Sequence, residues 1–351
     1  MVTALSGVSD APTVSVCISA YNAQDTILET LESVWGQTFG YFEVVVVDDC
    51  STDATAEILA SQRNPRLRVL RNPKNQGAPN SSNRALRAAR GRLIKFLDHD
   101  DTFREDCLAR MVVLADSDPR VGMVFCRRNV WLVDASEHTR RWKEKYDDVS
   151  AQFGTLRAVN DGRELFASWV RGGLQENWIG EPAVVMLRRE VLERSGGFNP
   201  HVRQQFDSDL WARVMPLCDV GFIPEALATY RKGKSTLSTY NHSRSLDWLD
   251  RMWILEGLDC LPDVAATPGL AELREEEWRW IRHQLPGLLR VTAPGWRTRL
   301  GDAWQLAGFR LRKHMRSGAV PFARLGPASP HADASEALTG CEATISAVPA
   351  R

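Results

Sequence analysis

The chain has 351 residues, of which 44% are hydrophobic and 25% charged. This is the balance of a globular chain with one large domain or two ordinary ones, which excludes a mainly disordered or collagen-like protein. The 44 Lys and Arg residues match the 44 Asp and Glu residues, so a broad nucleic-acid-binding surface is not expected. We see neither a run of about 18 apolar residues nor a secretory signal, and the seven cysteines have no zinc spacing. These features predict a cytoplasmic protein with no transmembrane segment.

The first 115 residues alternate between apolar strands and helices. Strands are predicted at residues 13–20, 42–47, 68–70 and 93–97, and helices at residues 25–34, 53–59 and 79–89. This alternation indicates an α/β fold, with a mostly parallel sheet covered by helices on both faces. Right-handed crossovers would place the carboxyl ends of the strands along one edge, where open α/β sheets bind ligands.

The pattern becomes less regular after Ala115. Strands are predicted at residues 121–133, 182–187 and 220–230, helices at 163–170, 188–194 and 209–217, and a loop at 147–159. From Ser243 the chain is predicted to be helical, and the tail is rich in Ala, Ser and Pro, which favours disorder. We therefore divide the chain into residues 1–115, 116–242, a helical appendage at 243–325 and a disordered tail at 326–351.

The run Phe96-Leu97-Asp98-His99-Asp100-Asp101 is the strongest candidate for chemistry. In an extended segment Asp98 and Asp100 project to the same side, and two carboxylates together form an oxygen site of the kind that Mg²⁺ or Mn²⁺ prefers. The alternative is helix capping, since Thr102 and Glu105 have the spacing of a capping box. Capping explains one acidic residue but not three.

A second acidic pair, Asp48-Asp49, follows the apolar run 44–47. Part of this segment is explained by turn and capping chemistry at Ser51 and Asp53. A carboxylate at the exit of a buried strand needs a partner. We expect that partner to be the imide N–H of a pyrimidine or the hydroxyls of a ribose.

Taken in order, these segments resemble the inverting family-2 glycosyltransferases of the A-type, Rossmann-like fold. The matching pieces are a strand ending in Ser19-Ala20-Tyr21-Asn22, the Gln37-Thr38 turn, Asp48-Asp49-Cys50-Ser51-Thr52-Asp53, and Asp98-His99-Asp100-Asp101. Each piece alone is common, and the ordered set is specific. The resemblance extends over residues 14–238.

The resemblance implies roles for several residues of the first half. Ser19 and Tyr21 would border the nucleotide, Asp49 would contact its base, Asp98 would lie by the ribose, and Asp100 would hold the metal on the diphosphate. Asn83 lies in the segment that closes over the nucleotide. Many members have Arg just before this Asn, whereas this chain has Ser82.

In the second half, Gly196-Gly197-Phe198 followed by Phe206-Asp207-Ser208-Asp209-Leu210-Trp211 resembles the family's Gly-Gly-Phe turn and its Glu-Asp-x-Asp-Leu-Trp motif. Asp207 then takes the position of the catalytic base, and Phe206 replaces the Glu. An apolar neighbour in place of a charge is expected to raise the pKa of Asp207. The alternative is that Asp207 and Asp209 only cap the helix that follows. The resemblance also places Glu181 and Trp211 at the acceptor pocket. For Glu181 the alternative is the entry to an edge strand, with Pro182 as its first residue.

A basic segment, Tyr230-Arg231-Lys232-Gly233-Lys234, lies where many members have Tyr-Arg-x-His. Because Gly233 replaces the His, a third metal ligand is not expected there. Arg231 or Lys234 could neutralise the diphosphate, and a solvated loop is the alternative. His242 is a more distant candidate ligand.

The appendage carries six tryptophans, which predict burial against the catalytic domain or a second subunit in a homodimer. The basic run 310–316 is interpreted as a solvated helix face, with peripheral contact to anionic lipid at the inner face of the membrane as the alternative. The tryptophans are Trp248, Trp253, Trp278, Trp280, Trp296 and Trp304.

The sequence thus predicts a Mg²⁺- or Mn²⁺-dependent inverting glycosyltransferase. Its donor would be a UDP- or dTDP-sugar, and its acceptor a hydroxyl group of a glycan, a lipid-linked intermediate or a small molecule. One rival is a nucleotidyltransferase, although residues 19–22 lack the Gly-rich basic loop of that class. The other is a non-catalytic nucleotide-sugar-binding or scaffold protein, which the departures at Ser82, Phe206 and Gly233 keep open.

Overall fold

A computed structural model describes residues 11–134, 136–233 and 247–288, together with 301, 303–307, 309 and 310. Within these residues nine strands form one mixed sheet. The strands are β1 (Val14–Ala20), β2 (Phe42–Asp48), β3 (Leu67–Arg71), β4 (Leu93–Asp98), β5 (Thr102–Phe103), β6 (Val121–Leu132), β7 (Val159–Asp161), β8 (Val185–Arg188) and β9 (Asp219–Lys232).

Helices cover the sheet and form the appendage. They are α1 (Ile27–Trp35), α2 (Thr55–Ser61), α3 (Ala78–Ala88), α4 (Cys107–Asp116), α5 (Glu137–Tyr146), α6 (Gly162–Arg171), α7 (Arg189–Ser195), α8 (Phe206–Val214), α9 (Asp247–Leu258), α10 (Pro262–Ala265) and α11 (Leu270–Leu288), with short 3₁₀ turns at Val149–Phe153, Pro182–Val184 and Met215–Leu217.

The strand order is β3-β2-β1-β4-β8-β6-β9-β5, with β7 paired to β9. Strands β3, β2, β1 and β4 are parallel, because each is joined to the next by a helical crossover. Strand β8 runs antiparallel between β4 and β6, so β6 and its parallel partner β9 point the same way as β4. The carboxyl ends of β1, β2 and β4 therefore lie side by side at one edge.

The central strands are buried on both faces, as their continuous apolar sequence predicts. Polar residues inside this layer are paired. Ser15 on β1 donates to Glu43 on β2 at 2.7 Å, and Arg90 pairs with the same carboxylate at 2.9 Å. Lys95 on β4 is also fully buried, and its Nζ donates to the carbonyls of Ala183 and Val185.

Some element boundaries differ from the sequence prediction. The helix expected at 209–217 begins earlier, at Phe206, because Phe206 packs into the core against Phe198 and so continues the apolar face of α8. The loop expected at 147–159 contains a 3₁₀ turn, which Asp148 caps by accepting from the backbone N–H of Ser150. No helix in the part of the chain that the structure describes is long and apolar enough to cross a membrane.

Within the described part of the appendage, the tryptophans differ in exposure. Trp253 is buried, stacks on His201 at 4.2 Å and contacts Phe309. Trp278 is partly buried and donates its indole N–H to Glu256 at 2.7 Å. Trp280 and Trp304 are exposed. The predicted burial thus holds for part of the set, while Trp296, the side chain of Trp248 and the tail at 326–351 lie outside the description.

Candidate active site

Two of the predicted nucleotide-binding residues lie at the carboxyl end of β1. Ser19 lies directly beside Asp98 of β4 in the parallel register, so these two strand ends bring a hydroxyl and a carboxylate together. Tyr21 follows in a turn and is 42% exposed. The turn is held by Asn22, whose side chain accepts from the backbone N–H of Thr52 at 2.9 Å. This leaves the Tyr21 ring accessible at the edge of the sheet.

Asp49 is placed differently from the expected base contact. Its carboxylate is buried and accepts from the side chain of Asn72 at 2.7 Å and from the backbone N–H groups of Gln76 and Gly77 at 2.9 and 2.8 Å. These bonds hold the loop that leads into α3. The partner that a buried carboxylate requires is thus this loop.

The acidic run after β4 is ordered by its neighbours. Asp101 is fully buried and accepts from the backbone N–H of Arg231 at 2.9 Å. The Gln37-Thr38 turn holds the next segment, since Gln37 donates to the carbonyl of Arg104 at 2.8 Å and accepts from the N–H of Leu108 at 2.9 Å. This part of the family resemblance therefore has a structural explanation.

Arg231 was predicted to contact the diphosphate, and its side chain is engaged within the protein. It donates to the carbonyl of Asp100 at 2.9 Å, pairs with Glu29 of α1 at 2.6 Å and lies over the ring of Trp131 at 4.5 Å. The guanidinium thus ties β9 to the acidic run, close to where the metal and diphosphate are expected. Lys234 and His242 lie outside the described residues.

Glu181 enters the site from the segment before β8. It forms an ion pair with Arg128 of β6 at 2.9 Å, and the side chain of Arg128 is only 3% exposed. Arg128 also donates to the carbonyl of Tyr146 at 2.8 Å and faces the rings of Trp142 and Tyr230. The carboxylate of Glu181 is therefore held in place by Arg128, whose guanidinium lies near two aromatic rings.

Asp207 lies in the first turn of α8, and two donors hold its carboxylate. The side-chain N–H of Asn177 donates to it at 2.9 Å, and the backbone N–H of Ser208 at 2.7 Å. Burial raises the pKa of Asp207 to about 7; the nearby Glu181 also raises it, while the two donors oppose the rise. Such a carboxyl can accept a proton near neutral pH.

Asn177 belongs to a tight turn that also involves Gly180. The side chain of Asn177 accepts from the backbone N–H groups of Ile179 and Gly180 and donates to the Gly180 carbonyl. Gly180 has a φ of +114°, and a Cβ there would lie 2.9 Å from Val184, so another residue would strain the turn. The sequence analysis did not identify Asn177. The signal that could have found it is an Asn followed two and three positions later by Ile179 and Gly180, a spacing at which an Asn side chain bonds to the backbone of a turn.

Trp211 was predicted at the acceptor pocket, but its ring has no exposed surface. Its indole N–H donates to the carbonyl of Gly180 at 2.9 Å, so it supports the turn that holds Asp207. Asn83 is likewise buried. Its side-chain amide exchanges two 2.8 Å hydrogen bonds with the backbone of Phe198, so it holds the Gly-Gly-Phe turn.

Four carboxylates from three separate segments share one electrostatic environment. The pKa of Asp98 is raised to about 8, first by burial and then by the charges of Asp100, Asp207 and Glu181. Asp207 and the acidic run of β4 are therefore close enough for their charges to interact. This is the proximity on which the enzymatic interpretation depends.

The residues present fit a divalent cation at Asp98 and Asp100. Both offer hard carboxylate oxygens, and a cation would relieve the repulsion that raises the pKa of Asp98. In the described part of the chain no group of three or more His, Cys, Asp or Glu side chains is arranged to hold a metal. The remaining ligands would then come from water and phosphate, as is usual for Mg²⁺.

The appendage contacts the loop that carries the candidate base. Asp250 of α9 is buried and accepts from three successive backbone N–H groups, those of Arg203, Gln204 and Gln205, at 2.9, 2.6 and 3.1 Å. Gln205 directly precedes α8. Sequence reasoning did not identify Asp250, because its partners are backbone groups some 45 residues away.

Comparison with known proteins supports the interpretation as a family-2 glycosyltransferase. Residues 15–165 match the family described as Glycosyl transferase family 2. An uncharacterised protein, MT1568 of Mycobacterium tuberculosis, is 36% identical over 307 residues, which cover 87% of this chain and 93% of that protein. The succinoglycan biosynthesis protein ExoO of Rhizobium meliloti is 44% identical over 161 residues, or 46% of this chain and 45% of ExoO.

Among solved structures, residues 1–349 of S. aureus TarS in complex with UDP-GlcNAc align with a TM-score of 0.58 at 20% identity, covering 85% of this chain and 82% of that one. The mannosyltransferase PcManGT from Pyrobaculum calidifontis, in complex with GDP-Man and Mn²⁺, aligns with a TM-score of 0.51 at 20% identity and covers 88% of each chain. These similarities confirm the predicted A-type fold.

Proposed function

The chain belongs to glycosyltransferase family 2, and we propose that it transfers a sugar from UDP to a hydroxyl group of a surface-glycan acceptor, with inversion. The carrying observation is the carboxylate of Asp207, which Asn177 and the backbone N–H of Ser208 hold at 2.9 and 2.7 Å; burial raises its pKa to about 7, and its charge acts on Asp98. A neutral-pH base beside a diphosphate site is what an inverting transfer requires.

On the donor side, Tyr21 and Ser19 would border the nucleotide, because Tyr21 is exposed at the carboxyl edge of the sheet and Ser19, although buried, lies next to Asp98. The choice of UDP rests on relatives, since Asp49 is committed to the loop at residues 72–77. WfaP of Escherichia coli, 43% identical over 88 residues (25% of this chain and 35% of WfaP), is described as using UDP-Glc, and TarS was solved with UDP-GlcNAc.

A Mg²⁺ or Mn²⁺ ion bound by Asp100, with Asp98 adjacent, would neutralise the charge that grows on the departing diphosphate. The protein's own contribution there is to hold the acidic run in place. Arg231 does so through the carbonyl of Asp100, and its backbone N–H does so through Asp101.

On the acceptor side, Asp207 would take the proton from the attacking hydroxyl. Asn177 and the N–H of Ser208 orient its carboxylate, and Glu181 keeps a second negative charge beside it. The hydroxyl that Asp207 deprotonates would attack the anomeric carbon from the side opposite the departing diphosphate, which gives inversion. The acceptor class is inferred from relatives named for succinoglycan and teichuronic acid biosynthesis.

The test is hydrolysis and transfer of UDP-sugars with Mn²⁺ present, preceded by thermal-shift screening of UDP, dTDP and GDP with and without the metal. Asp207→Asn should lower turnover by at least about a hundredfold, the usual range for a positioned base. The same change should leave the melting temperature unchanged or higher above pH 7, because an amide avoids burying a charge. Full activity of Asp207→Asn would refute the proposal.

Two controls separate the remaining alternatives. Asp100→Ala should abolish the effect of Mn²⁺ on UDP binding, whereas Asp116→Ala, at a surface ion pair with Arg92, should not. Release of pyrophosphate from a sugar phosphate and UTP would instead identify a nucleotidyltransferase. A protein that binds UDP-sugars without releasing free sugar or transferring it would be a scaffold.

A further inference from the structure

A cavity of about 530 Å³ lies between the appendage and the segments that hold Asp207. This volume is within the range of roughly 300–1,000 Å³ that holds small ligands. Its walls come from the loop after α6, the residue before α8, and helices α9 and α11. The lining residues are Gln175, Gln205, Arg251, Leu273, Glu276, Glu277 and Trp280.

Two of these wall residues are close along the chain to the candidate base. Gln205 lies two positions before Asp207, and Gln175 lies two positions before Asn177, which donates to the Asp207 carboxylate. A ligand in the cavity would therefore lie beside the segments that position the base. A group bound there would contact Gln175 and Gln205, the residues that lead into these two segments.

Two adjacent residues of α9, Asp250 and Arg251, bond to the two cavity walls that contain Gln205 and Gln175. Asp250 accepts from the N–H of Gln205, and Arg251 donates to the carbonyl of Leu174 at 3.0 Å. Arg251 also pairs with Glu277 of α11 at 2.6 Å, with both side chains largely buried. The cavity is thus framed by specific polar contacts between three separate parts of the chain.

The lining chemistry suits a carbohydrate. Trp280 leaves 46% of its surface exposed, and an indole face packs well against the C–H face of a pyranose ring. Gln175, Gln205 and Glu276 supply amide and carboxylate groups for hydroxyls. Arg251 is the one cation among the lining residues and is already paired with Glu277, which disfavours a phosphate.

We propose that this cavity binds a sugar ring of the acceptor, with Trp280 as its stacking platform. The inference rests on the proposed transferase function and adds to it the place where a sugar ring of the acceptor binds. A glycan acceptor would be held by its penultimate ring in the cavity while its terminal hydroxyl reaches Asp207. A purely apolar aglycone would find only Leu273 and Trp280 as apolar lining.

The probes are methyl β-D-glucopyranoside and methyl N-acetyl-β-D-glucosaminide, with n-octanol as an apolar comparison. Saturation-transfer NMR on the full chain with UDP present should detect at least one glycoside. Trp280→Ala should weaken its binding about tenfold, the equivalent of 1.4 kcal/mol, and Gln175→Ala should also weaken it. Trp304→Ala, at an exposed tryptophan outside the cavity lining, should bind as the unaltered protein does.

Absence of binding by both glycosides, unchanged binding in Trp280→Ala and Gln175→Ala, or displacement by n-octanol would each overturn the inference. UDP-GlcNAc hydrolysis by the unaltered protein with Mn²⁺ reports the transferase proposal separately. Hydrolysis without glycoside binding rejects the cavity alone, whereas loss of both nucleotide binding and hydrolysis rejects the proposed function.

Discussion

The side-chain amide of Asn177 donates to the carboxylate of Asp207 at 2.9 Å, and its oxygen accepts from two backbone N–H groups of the same turn. These bonds fix the orientation of the amide: its oxygen accepts from the backbone, so its nitrogen faces Asp207 and donates to it. Asn177 therefore stabilises the ionised form of a carboxyl whose burial favours the protonated form.

The first prediction concerns pH. Because burial raises the pKa of Asp207 to about 7, its ionised fraction increases through neutral pH, so turnover should rise with pH through this range and then level off. Asn177→Ala removes a donor to the ionised form of Asp207 and so raises its pKa. The acid limb of the pH–rate profile, where turnover rises with pH, should therefore move to higher pH. Rate measurements across pH check this.

Asn160→Ala is the matched control, because the Asn160 side chain bonds only to the backbone of Arg157 and Val220 at the far strand β7. Its acid limb should coincide with that of the unaltered protein. Coincident limbs for Asn177→Ala would show that Asn177 does not influence the base.

The second prediction concerns the appendage. Asp250→Asn leaves one carbonyl oxygen to satisfy three backbone N–H groups, so the loop at 203–205 should shift and displace Asp207. Because small misplacements of a catalytic group are costly, we expect kcat to fall roughly ten- to a hundredfold, with the donor KM little changed. Steady-state kinetics below the melting temperature provide the measurement.

Glu256→Gln provides the comparison, since Glu256 is equally buried on the same helix and contacts Trp278 within the appendage. It should lower the melting temperature without lowering kcat. Equal kcat losses in the two variants would mean that Asp250 acts on stability alone.

The third prediction distinguishes two roles of Asp49. If Asp49 only holds the loop at 72–77, Asp49→Asn should weaken UDP and GDP binding by similar factors, and this is the expected result. If it contacts the pyrimidine imide, only UDP binding should weaken. Calorimetry with both nucleotides decides. Asp53→Ala, which removes the acceptor of hydrogen bonds from the backbone N–H groups of Thr55 and Gln24, should lower stability by about 1 kcal/mol and leave both affinities unchanged.

The fourth prediction concerns a buried ion pair. Asp209 and Arg213 are both fully buried and 2.6 Å apart, and Arg213 also donates to the carbonyls of Ser195 and Gly197. Asp209→Ala would remove the carboxylate that balances the charge of the buried guanidinium, so the free energy of unfolding should fall by about 3–5 kcal/mol. Asp116→Ala at the half-exposed pair with Arg92 should cost about 1 kcal/mol or less. Urea denaturation measures both, and similar losses would contradict this account.

Much of the fold could be predicted from the sequence because its strands are continuous apolar runs and its crossovers are short. The site was harder. Local pattern singled out Asp98 and Asp100, since carboxylates at strand ends stand out, whereas Asp207 was singled out by the family resemblance. Local pattern could not show that Asn83 and Trp211 point into the protein, nor that Arg231 is engaged by Glu29 more than 200 residues away. Such contacts depend on how distant segments meet, which no local pattern encodes.

Two hydrogen bonds join Asn83 and Phe198, which are 115 positions apart. The side-chain N–H of Asn83 donates to the Phe198 carbonyl, and its side-chain oxygen accepts from the Phe198 N–H. Separating residues 1–115 from the rest of the chain would leave that amide without its partner. A fragment ending near residue 115 should therefore not fold by itself, and the two halves should melt in a single cooperative transition.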